Sequence, residues 1–299
     1  TGEIYAVAQY PFFEPGKYRD YFNHSELIES TRLKAINDCF EPGSTMKAIS
    51  CAIALMANDE LAKRGEAPLF DPDEMMRTDN NAFPGRQKPL VDVRTHRCLD
   101  MYMSLQKSSN VYVARLMQRV VERLGNNWYR DKLVNTFGFG LKSGIELLYE
   151  NPGMVPTPGK TYPGGALQWS LPTPYSLAMG YNLMVNSLQM LRSFAVFANG
   201  GYLVKPRLIK KVVREHTPSV KELCFCSCLS KERVLSEEIS SRVVKGLKYV
   251  TKPGGAAPVA DVFGFTEAGK TSTTEKLFGG VYSKRAHFTS FIGFAPAEN

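Results

Sequence analysis

The sequence contains neither a long apolar segment nor a leader peptide at its start. No uninterrupted apolar run approaches the roughly 18 residues that indicate a membrane helix, and no basic segment followed by an apolar one opens the chain. Repeats and low-complexity segments are also missing. With 299 residues, 43% of them hydrophobic and 22% charged, the chain is expected to be globular with a sizeable core. We expect a piece of a longer protein, with any anchor or targeting segment upstream.

Motifs of nucleic-acid-binding proteins are absent as well, although the formal net charge is +8. A basic balance favours anionic partners in general. The basic residues are scattered, however, and the densest cluster, at 205–214, is interrupted by apolar residues in the manner of a strand with a solvated face. We therefore expect no nucleic acid among the partners.

The six cysteines give little information about the compartment. Cys224, Cys226 and Cys228 alternate, so a strand would point all three to one face. Cysteines this close cannot easily bridge each other, and no histidine is adjacent to complete a metal site. Buried or free thiols are the favoured interpretation, with intermolecular pairing and a metal or redox role as alternatives. We expect neither a metal nor an organic cofactor.

Apolar periodicity and turn residues divide the chain into a β-like start, a helical middle and a mixed end. Helices are expected at 45–63, 99–106, 111–124, 172–198 and 236–250. Strands are expected at 3–9, 202–204, 208–213, 263–276 and 287–294, with irregular structure at 12–37 and a polar excursion at 71–96. Strands at both ends with helices between them predict an α/β fold with one sheet assembled from the two termini.

Ser44 and Lys47 form the first candidate catalytic pair. Pro42-Gly43 break the chain just before a strong helix, so Ser44 lies at the helix N-terminus and Lys47 one turn later on the same face. Serine needs a base to become a nucleophile, and a lysine serves if its surroundings lower its pKa. The pattern alone is weak, because it recurs at 104–107 and because serine at a helix start is often only an N-cap.

The string Lys270-Thr271-Ser272 is part of a misleading phosphate-loop pattern, G-x-x-x-x-G-K-T at 264–271. A phosphate loop must open a substantial helix, but the residues that follow are β-prone. In a strand, Lys270 and Ser272 would point one way and Thr271 the other. An exposed strand edge can pair with a peptide, and the lysine and hydroxyls would meet its carboxylate. An ordinary solvated strand is the alternative.

Ser44-x-x-Lys47, Ser108-x-Asn110 and Lys270-Thr271, taken in this order and context, resemble the three signature motifs of class B penicillin-binding proteins. The amino-acid sequence around the motifs is most similar to the septal, cell-division branch. Supporting matches are spread over most of the chain, at 1–6, 137–140, 144–146, 173–174, 198–201 and 291–296. The resemblance implies the penicillin-binding protein and serine β-lactamase-like fold, with an antiparallel sheet built from both chain ends. A transpeptidase domain would span 1–299, with a sheet subdomain at approximately 1–40 and 200–299, a mainly helical subdomain at 41–199 and the active site between them.

The implied activity is that of a peptidoglycan D,D-transpeptidase, which cross-links stem peptides during septal wall synthesis through an acyl-enzyme. Ser44 would attack the D-Ala-D-Ala bond with Lys47 as its base. Ser108 would relay a proton to the leaving amine, and Asn110 would hold Lys47 and the substrate amide. β-Lactams would acylate Ser44 in the same way.

The same resemblance implies how the substrate would be held and where the protein acts. Lys270 and Thr271 would bind the terminal carboxylate beside Ser272, and the backbone amides of Ser44 and Thr273 would form the oxyanion hole. The implied partners are peptidoglycan stem peptides on lipid-linked or nascent glycan strands, β-lactam antibiotics and cell-division membrane proteins. The implied location is the outer, periplasmic face of the bacterial inner membrane.

Two departures from the family pattern stand out. Ser272 replaces the usual glycine, and a side chain there would narrow the cleft, so Ser272→Gly is predicted to speed acylation by β-lactams. The chain also stops at Asn299, whereas the family normally continues with one more strand and a C-terminal helix, which would leave an open sheet edge. The pedestal domain and membrane anchor typical of the class likewise lie outside this sequence.

Three other functions fit the same motifs. A serine β-lactamase would need a glutamate to activate water. Glu150 is a candidate, but Asn151-Pro152 follow it and the expected local pattern is missing. A D,D-carboxypeptidase would use water as the acceptor. A non-catalytic homologue would act as a scaffold or sensor in cell division.

Overall fold

The computed structural model describes residues 2–79, 81–212, 223–224 and 233–298. Its α-helices, in chain order, are α1 Tyr18–Phe22, α2 Ser25–Ile28, α3 Lys34–Asn37, α4 Met46–Lys63, α5 Met101–Lys107, α6 Asn110–Leu124, α7 Asn126–Asp131, α8 Thr173–Ala178, α9 Ser187–Ala198 and α10 Glu237–Thr251. A π-helical turn, Lys132–Thr136, follows α7. Within this part of the chain, no helix is both long and apolar enough to cross a membrane.

The strands of the described residues pair as three two-stranded antiparallel ladders. They are β1 Met76–Arg77 with β2 Cys98–Leu99, β3 Lys211–Val212 with β4 Leu223–Cys224, and β5 Ala268–Phe278 with β6 Val281–Phe294. The long β5–β6 hairpin turns at Gly279-Gly280, which supply the positive φ values of a tight reversal. Helices and strands therefore coexist, as the α/β prediction requires, but the described strands form three separate ladders rather than the one sheet expected from the two termini.

Helix α4 is the centre of the core. Its residues are apolar or small on nearly every face, which is typical of a helix surrounded by protein, and twelve of them are buried. α6, α8 and α10 pack against it, and β5 packs against α10 and against the turn that precedes α4. The start of α4 is thereby fixed by the core behind it and by the sheet in front of it.

The helices expected at 45–63, 99–106, 111–124 and 236–250 are confirmed as α4, α5, α6 and α10 to within a few residues. The one helix expected at 172–198 is wrong in detail. It is divided into α8 and α9, because the chain turns at Gly180 and Asn182, both with positive φ, and a new N-cap at Asn186 starts α9. The region 12–37, expected to be irregular, contains the three short helices α1 to α3.

The strand expected at 3–9 is also wrong. Only Glu3 pairs, in a single parallel bridge with Arg207, supported by the bonds from Ile4 N–H to the Arg207 carbonyl and from Arg207 N–H to the Gly2 carbonyl. Most of residues 5–9 are exposed, and among the described residues no neighbouring strand completes the hydrogen bonds of this β-prone sequence. The segment 202–204 contributes one bridge, from Tyr202 to Arg233. Residue 213, the last of the strand expected at 208–213, lies outside the described residues.

Candidate active site

A cleft of about 350 Å³ lies between the start of α4, the turn between α5 and α6, and the edge of β5. Four of its lining residues come from the three strings singled out in the sequence, Ser44, Ser108, Thr271 and Ser272, and a fifth, Thr273, is the next residue after the third string. These segments are far apart in the chain, and the packing of α4 against α6 and of β5 against the turn before α4 brings them together.

Ser44 lies in a 3-10 turn, Gly43–Thr45, that runs directly into α4. This places Ser44 at the helix start and Lys47 in the first turn of the helix, as predicted. The Lys47 side chain is only 1% exposed. Its Nζ donates to the Ser108 carbonyl at 2.5 Å and to Ser108 Oγ at 3.1 Å. Across the described residues, no hydrogen bond joins Lys47 to the Ser44 hydroxyl.

The Ser108 hydroxyl lies between two lysine side chains. Lys270 Nζ donates to Ser108 Oγ at 3.0 Å, close to the distance from Lys47. Ser108 ends α5 in the left-handed conformation, with φ 57° and ψ 45°, which is uncommon for a residue other than glycine and costs conformational energy. In this conformation both the carbonyl oxygen and the hydroxyl of Ser108 accept hydrogen bonds from Lys47.

Both lysines lose much of their affinity for a proton. Burial, followed by the charge of Lys270, lowers the pKa of Lys47 well below its ordinary value, while Asp92 acts in the opposite direction. Burial lowers the pKa of Lys270 to about 7. Two ammonium groups that share one hydroxyl repel each other. The cluster is therefore suited to hold a neutral amine at neutral pH, which is what a lysine base requires.

Asn110 is the first residue of α6 and the last residue of the second string. Its Nδ2 donates to the carbonyl of Val91 at 3.1 Å, and no hydrogen bond to Lys47 is present in the described part of the chain. Asn110 therefore contacts the segment around Val91, which lies next to the start of α6. Its predicted contacts with Lys47 and the substrate amide remain a prediction.

Asp92, which the sequence reasoning missed, fixes this segment to the second string. Its carboxylate accepts hydrogen bonds from the Ser109 hydroxyl and from the backbone N–H groups of Asn110 and Val111. A carboxylate at a helix N-terminus satisfies unpaired N–H groups and interacts favourably with the helix dipole. Nothing in the polar stretch 71–96 distinguishes Asp92 from its neighbours, since its role depends on a tertiary contact.

The third string lies in the first half of β5. Lys270 and Ser272 are buried, while Thr271 is half-buried and Thr273 is exposed, which matches the predicted alternation of faces. Lys270 pairs with Ile292 of β6 and is followed by eight more strand residues. The phosphate-loop interpretation fails because β5 continues to Phe278 and no helix begins in the described residues after Lys270.

Ser272 makes a contact that the sequence did not predict. The backbone N–H of Ser44 donates to Ser272 Oγ at 2.9 Å. The resemblance had implied this N–H as one of the two oxyanion-hole donors. Ser272, the residue that departs from the family pattern, therefore accepts a hydrogen bond from a predicted oxyanion-hole donor.

Further residues around the cleft were also missed. Arg94 and His96 line it, on the segment that Asp92 fixes. Glu41, which lines a separate cavity, accepts hydrogen bonds from the Tyr282 hydroxyl at 3.0 Å and from the Asn182 N–H at 2.7 Å. Glu41 precedes the nucleophile turn and Tyr282 belongs to β6, so this bond joins the hairpin to the helical part. Glu41 and Tyr282 are too far apart in sequence to be paired by a local pattern.

Glu150 lies elsewhere. It is buried, and both carboxylate oxygens accept the Ser143 N–H at 2.9 Å. It is not among the residues that line the cleft. A structural role in its own turn accounts for its contacts.

Cys39, Cys51 and Cys98 are free thiols. The backbone of Cys224 lies in β4, whereas Cys226 and Cys228 are outside the described residues. No group of three or more histidine, cysteine or acidic side chains suited to a metal occurs within the ranges that the structure describes.

The chain belongs to the family of the penicillin-binding protein transpeptidase domain, whose family model matches residues 1–299. It is 30% identical over 301 residues to the peptidoglycan D,D-transpeptidase FtsI of Buchnera aphidicola, covering all of this chain and 46% of that protein. Stage V sporulation protein D of Bacillus subtilis is 30% identical over 312 residues, and the match covers all of this chain and 42% of that protein. The chain thus spans less than half the length of these curated relatives.

Solved structures give the same fold. Penicillin-binding protein 3 of Mycobacterium tuberculosis, in complex with ampicillin, superposes with a TM-score of 0.73 at 30% identity, covering 90% of this chain and 56% of that one. The complex of the same protein with aztreonam gives a TM-score of 0.72 at 29% identity. The predicted fold class and family are therefore confirmed.

Proposed function

We propose that this chain is the catalytic domain of a peptidoglycan D,D-transpeptidase of the septal branch, acting through an acyl-enzyme on Ser44. The observation that carries the proposal is the pair of buried lysines around the Ser108 hydroxyl, one of them a helical turn from Ser44. Two lysines buried at the same hydroxyl, with lowered pKa values, would be costly in a purely structural site. They are useful where protons must move between a nucleophile and a leaving group.

Acylation would begin when neutral Lys47 takes the proton of the Ser44 hydroxyl and Ser44 Oγ attacks the carbonyl carbon between the two D-Ala residues. The tetrahedral intermediate would collapse by breaking the C–N bond. The leaving amine would take a proton through Ser108, and the ester on Ser44 would remain. Lys47 now binds Ser108 rather than Ser44, and catalytic hydrogen bonds often tighten only when substrate arrives.

Lys270 and Thr271 would bind the terminal carboxylate of the donor peptide along the edge of β5, with Asn110 against its amide. A carboxylate next to Lys270 would favour the protonated form of this lysine, which leaves Lys47 as the neutral base. The amine of a second stem peptide would then attack the ester, form the cross-linking amide and return the proton to Ser44. β-Lactams would acylate Ser44 by opening their ring.

The relatives support the biological setting of the proposal. The name of the Buchnera relative states the D,D-transpeptidase activity, and the M. tuberculosis neighbours are complexes with β-lactams. We infer action at the outer, periplasmic face of the inner membrane, on stem peptides of lipid-linked or nascent glycan strands. Membrane proteins of the division machinery would be the partners.

The β-lactamase alternative has less support, because Glu150 is held by Ser143 away from the cleft. A carboxypeptidase would use the same acylation machinery and differ only in taking water as acceptor. The two outcomes differ in the product formed from a donor peptide when a D-amino acid is supplied as acceptor amine, since only a transpeptidase forms the exchanged peptide.

Labelling with a fluorescent penicillin tests the proposal. The wild-type chain should be labelled covalently, and Ser44→Ala should abolish the label. The matched control is Ser104→Ala, since Ser104 begins the second Ser-x-x-Lys string but is buried and bonded to the Met101 carbonyl at 2.7 Å.

Equal labelling of wild type and Ser44→Ala, or no labelling of any folded variant, would support the non-catalytic homologue instead. Rapid release of the bound penicillin would support a β-lactamase.

A further inference from the structure

The Ser44 backbone amide is already hydrogen-bonded, in the cleft, to a side chain. Its N–H donates to Ser272 Oγ at 2.9 Å. In the proposed reaction the same N–H must stabilise the negative charge that develops on the substrate carbonyl oxygen. A backbone N–H has a single proton to donate. The Ser272 hydroxyl and the oxyanion therefore compete for one donor.

The Ser272 side chain is held firmly at this position. It lies on the buried face of β5, between Lys270 and Thr274, and is 5% exposed. The Gly43 Cα forms its floor, because a Cβ built on Gly43 would lie 2.4 Å from Ser272 Oγ and 2.3 Å from Thr274 Cγ2. The hydroxyl is thus packed between the bare backbone of Gly43 and the N–H of Ser44.

We infer that Ser272 Oγ occupies the oxyanion hole of the resting cleft, so that the carbonyl of every acyl donor must displace it before Ser44 can react. Ser272 is then a positioning residue that sets the rate of acylation. The inference rests on the proposed function, since it concerns the same serine and the same reaction. Occupation of the donor requires the Ser272 hydroxyl, whereas narrowing of the cleft would require only the volume of the side chain.

The competition should act on the chemical step more than on binding. Oxyanion-hole donors interact most strongly with the charge of the transition state, and removing one typically costs a hundredfold or more. Interactions stronger in the transition state than in the ground state change the rate constant rather than the affinity. Freeing the Ser44 N–H should therefore raise the acylation rate constant and leave the dissociation constant of the initial complex nearly unchanged.

Three variants separate occupation of the donor from narrowing. Ser272→Ala removes the hydroxyl and keeps the Cβ, Ser272→Gly removes both, and Ser272→Thr keeps the hydroxyl. If the hydroxyl is responsible, Ser272→Ala already accelerates acylation and Ser272→Thr does not. If bulk alone matters, only Ser272→Gly accelerates it. Ser290→Ala is the matched control, since Ser290 is the residue paired with Ser272 on β6.

The experiment is stopped-flow acylation of the full chain by a fluorescent penicillin over a range of concentrations, with thermal melts to confirm folding. We expect Ser272→Ala to raise the acylation rate constant about tenfold, equivalent to about 1.4 kcal/mol of barrier, with the initial dissociation constant changed by less than about threefold. Ser272→Gly should do at least as much, and Ser290→Ala should behave as wild type.

The outcomes distinguish this inference from the proposed function. Ser44-dependent labelling with equal or slower acylation in Ser272→Ala overturns the role of Ser272 and leaves the transpeptidase proposal intact. Labelling that persists in Ser44→Ala overturns both. Labelling that appears only when Ser272 is replaced, and is lost again with Ser44→Ala, supports both.

Discussion

Ser108 concentrates the chemistry of the cleft in one residue. Its left-handed backbone turns a carbonyl and a hydroxyl toward Lys47, and the same hydroxyl receives Lys270. Neither lysine has a carboxylate among its hydrogen-bond partners on the described residues, and the Asp92 carboxylate only partly offsets the burial of charge at Lys47. The site therefore carries a cost in folding free energy that depends on pH.

Lys270→Met should reveal that cost. Burial depresses the pKa of Lys270 to about 7 in the folded chain, against about 10.4 when unfolded. Between these values the unfolded chain binds more protons, so the stability of the wild type rises with pH and is lowest below pH 7. We expect Lys270→Met to exceed wild type in unfolding free energy by on the order of 3 kcal/mol at pH 6, with the gap closing toward pH 10. Urea denaturation at several pH values measures it.

Lys276→Met is the control for this prediction, since Lys276 lies on the same strand but is exposed. Its stability difference from wild type should stay flat across the same pH range. A flat difference for Lys270→Met as well would show that Lys270 is not destabilised by burial.

At the scale of elements, the Asp92 carboxylate joins the segment 91–96, which lines the cleft, to the start of α6. Asp92 accepts three hydrogen bonds at the start of α6, and the side chain of Asn110 in turn holds the Val91 carbonyl. Arg94 and His96 lie on the cleft side of that attachment. Asp92 therefore contacts the second string and also belongs to the segment that lines the cleft.

Asp92→Ala should lower stability by about 2 kcal/mol, the upper range for loss of a helix cap, because three donors lose their acceptor. It should also slow penicillin labelling of the folded protein, because Asn110 and the segment 91–96 lose their attachment. Ser236→Ala is the matched control: Ser236 caps α10 through the Ile239 N–H at 3.2 Å. It should cost about 1 kcal/mol without changing the labelling rate. Equal labelling rates in both variants would contradict a positioning role for Asp92.

The elements that could be predicted from sequence are those whose signals are local. α4, α5, α6 and α10 each carry an apolar period and end signals, and all four appear where expected. The strand at 3–9 could not be tested locally, because a strand exists only if another strand pairs with it, and here Glu3 alone finds a partner. The break between α8 and α9 does carry local signals, Gly180 and the Asn186 N-cap, which the prediction of a single helix overlooked.

The same division applies to the candidate site. The three strings could be found because each is a short local pattern, and their convergence followed from the family resemblance. Asp92, the bond between Glu41 and Tyr282, and the contact of Ser272 with the Ser44 N–H involve partners between 17 and 241 residues apart. No periodicity or spacing within one segment reports such contacts.

At the scale of the whole molecule, two glycines let separate parts of the chain meet behind the nucleophile. Gly43 N–H donates to the Gly180 carbonyl at 3.0 Å. A Cβ on Gly180 would lie 2.2 Å from the Gly43 carbonyl oxygen and 2.6 Å from its Cα, and Gly180 has φ +84°. Backbone meets backbone at this point, so neither side can move aside cheaply.

Gly180→Ala should therefore cost about 3 kcal/mol or more, from a left-handed conformation and a backbone clash together. The control is Gly65→Ala, because Gly65 also has a positive φ of 72° but no atom of the described residues lies within 4 Å of its would-be Cβ. That variant should lose only about 1 kcal/mol. Chemical denaturation measures both, and similar losses in the two variants would show that the contact with Gly43 is not tight.

The bond between the Ser44 amide and Ser272 has a further consequence for how the protein acquires its activity. It joins residues separated by 228 positions, whereas the β5–β6 hairpin and the helices form from near neighbours. Contacts of such long range close late, because the entropy of the intervening chain must be lost first. The cleft itself needs the same approach of β5 to the Ser44 turn, so competence for covalent labelling should be one of the last properties to appear during refolding. Pulses of fluorescent penicillin at successive refolding times would measure the fraction of molecules that can be labelled. This fraction should rise later than the secondary structure does.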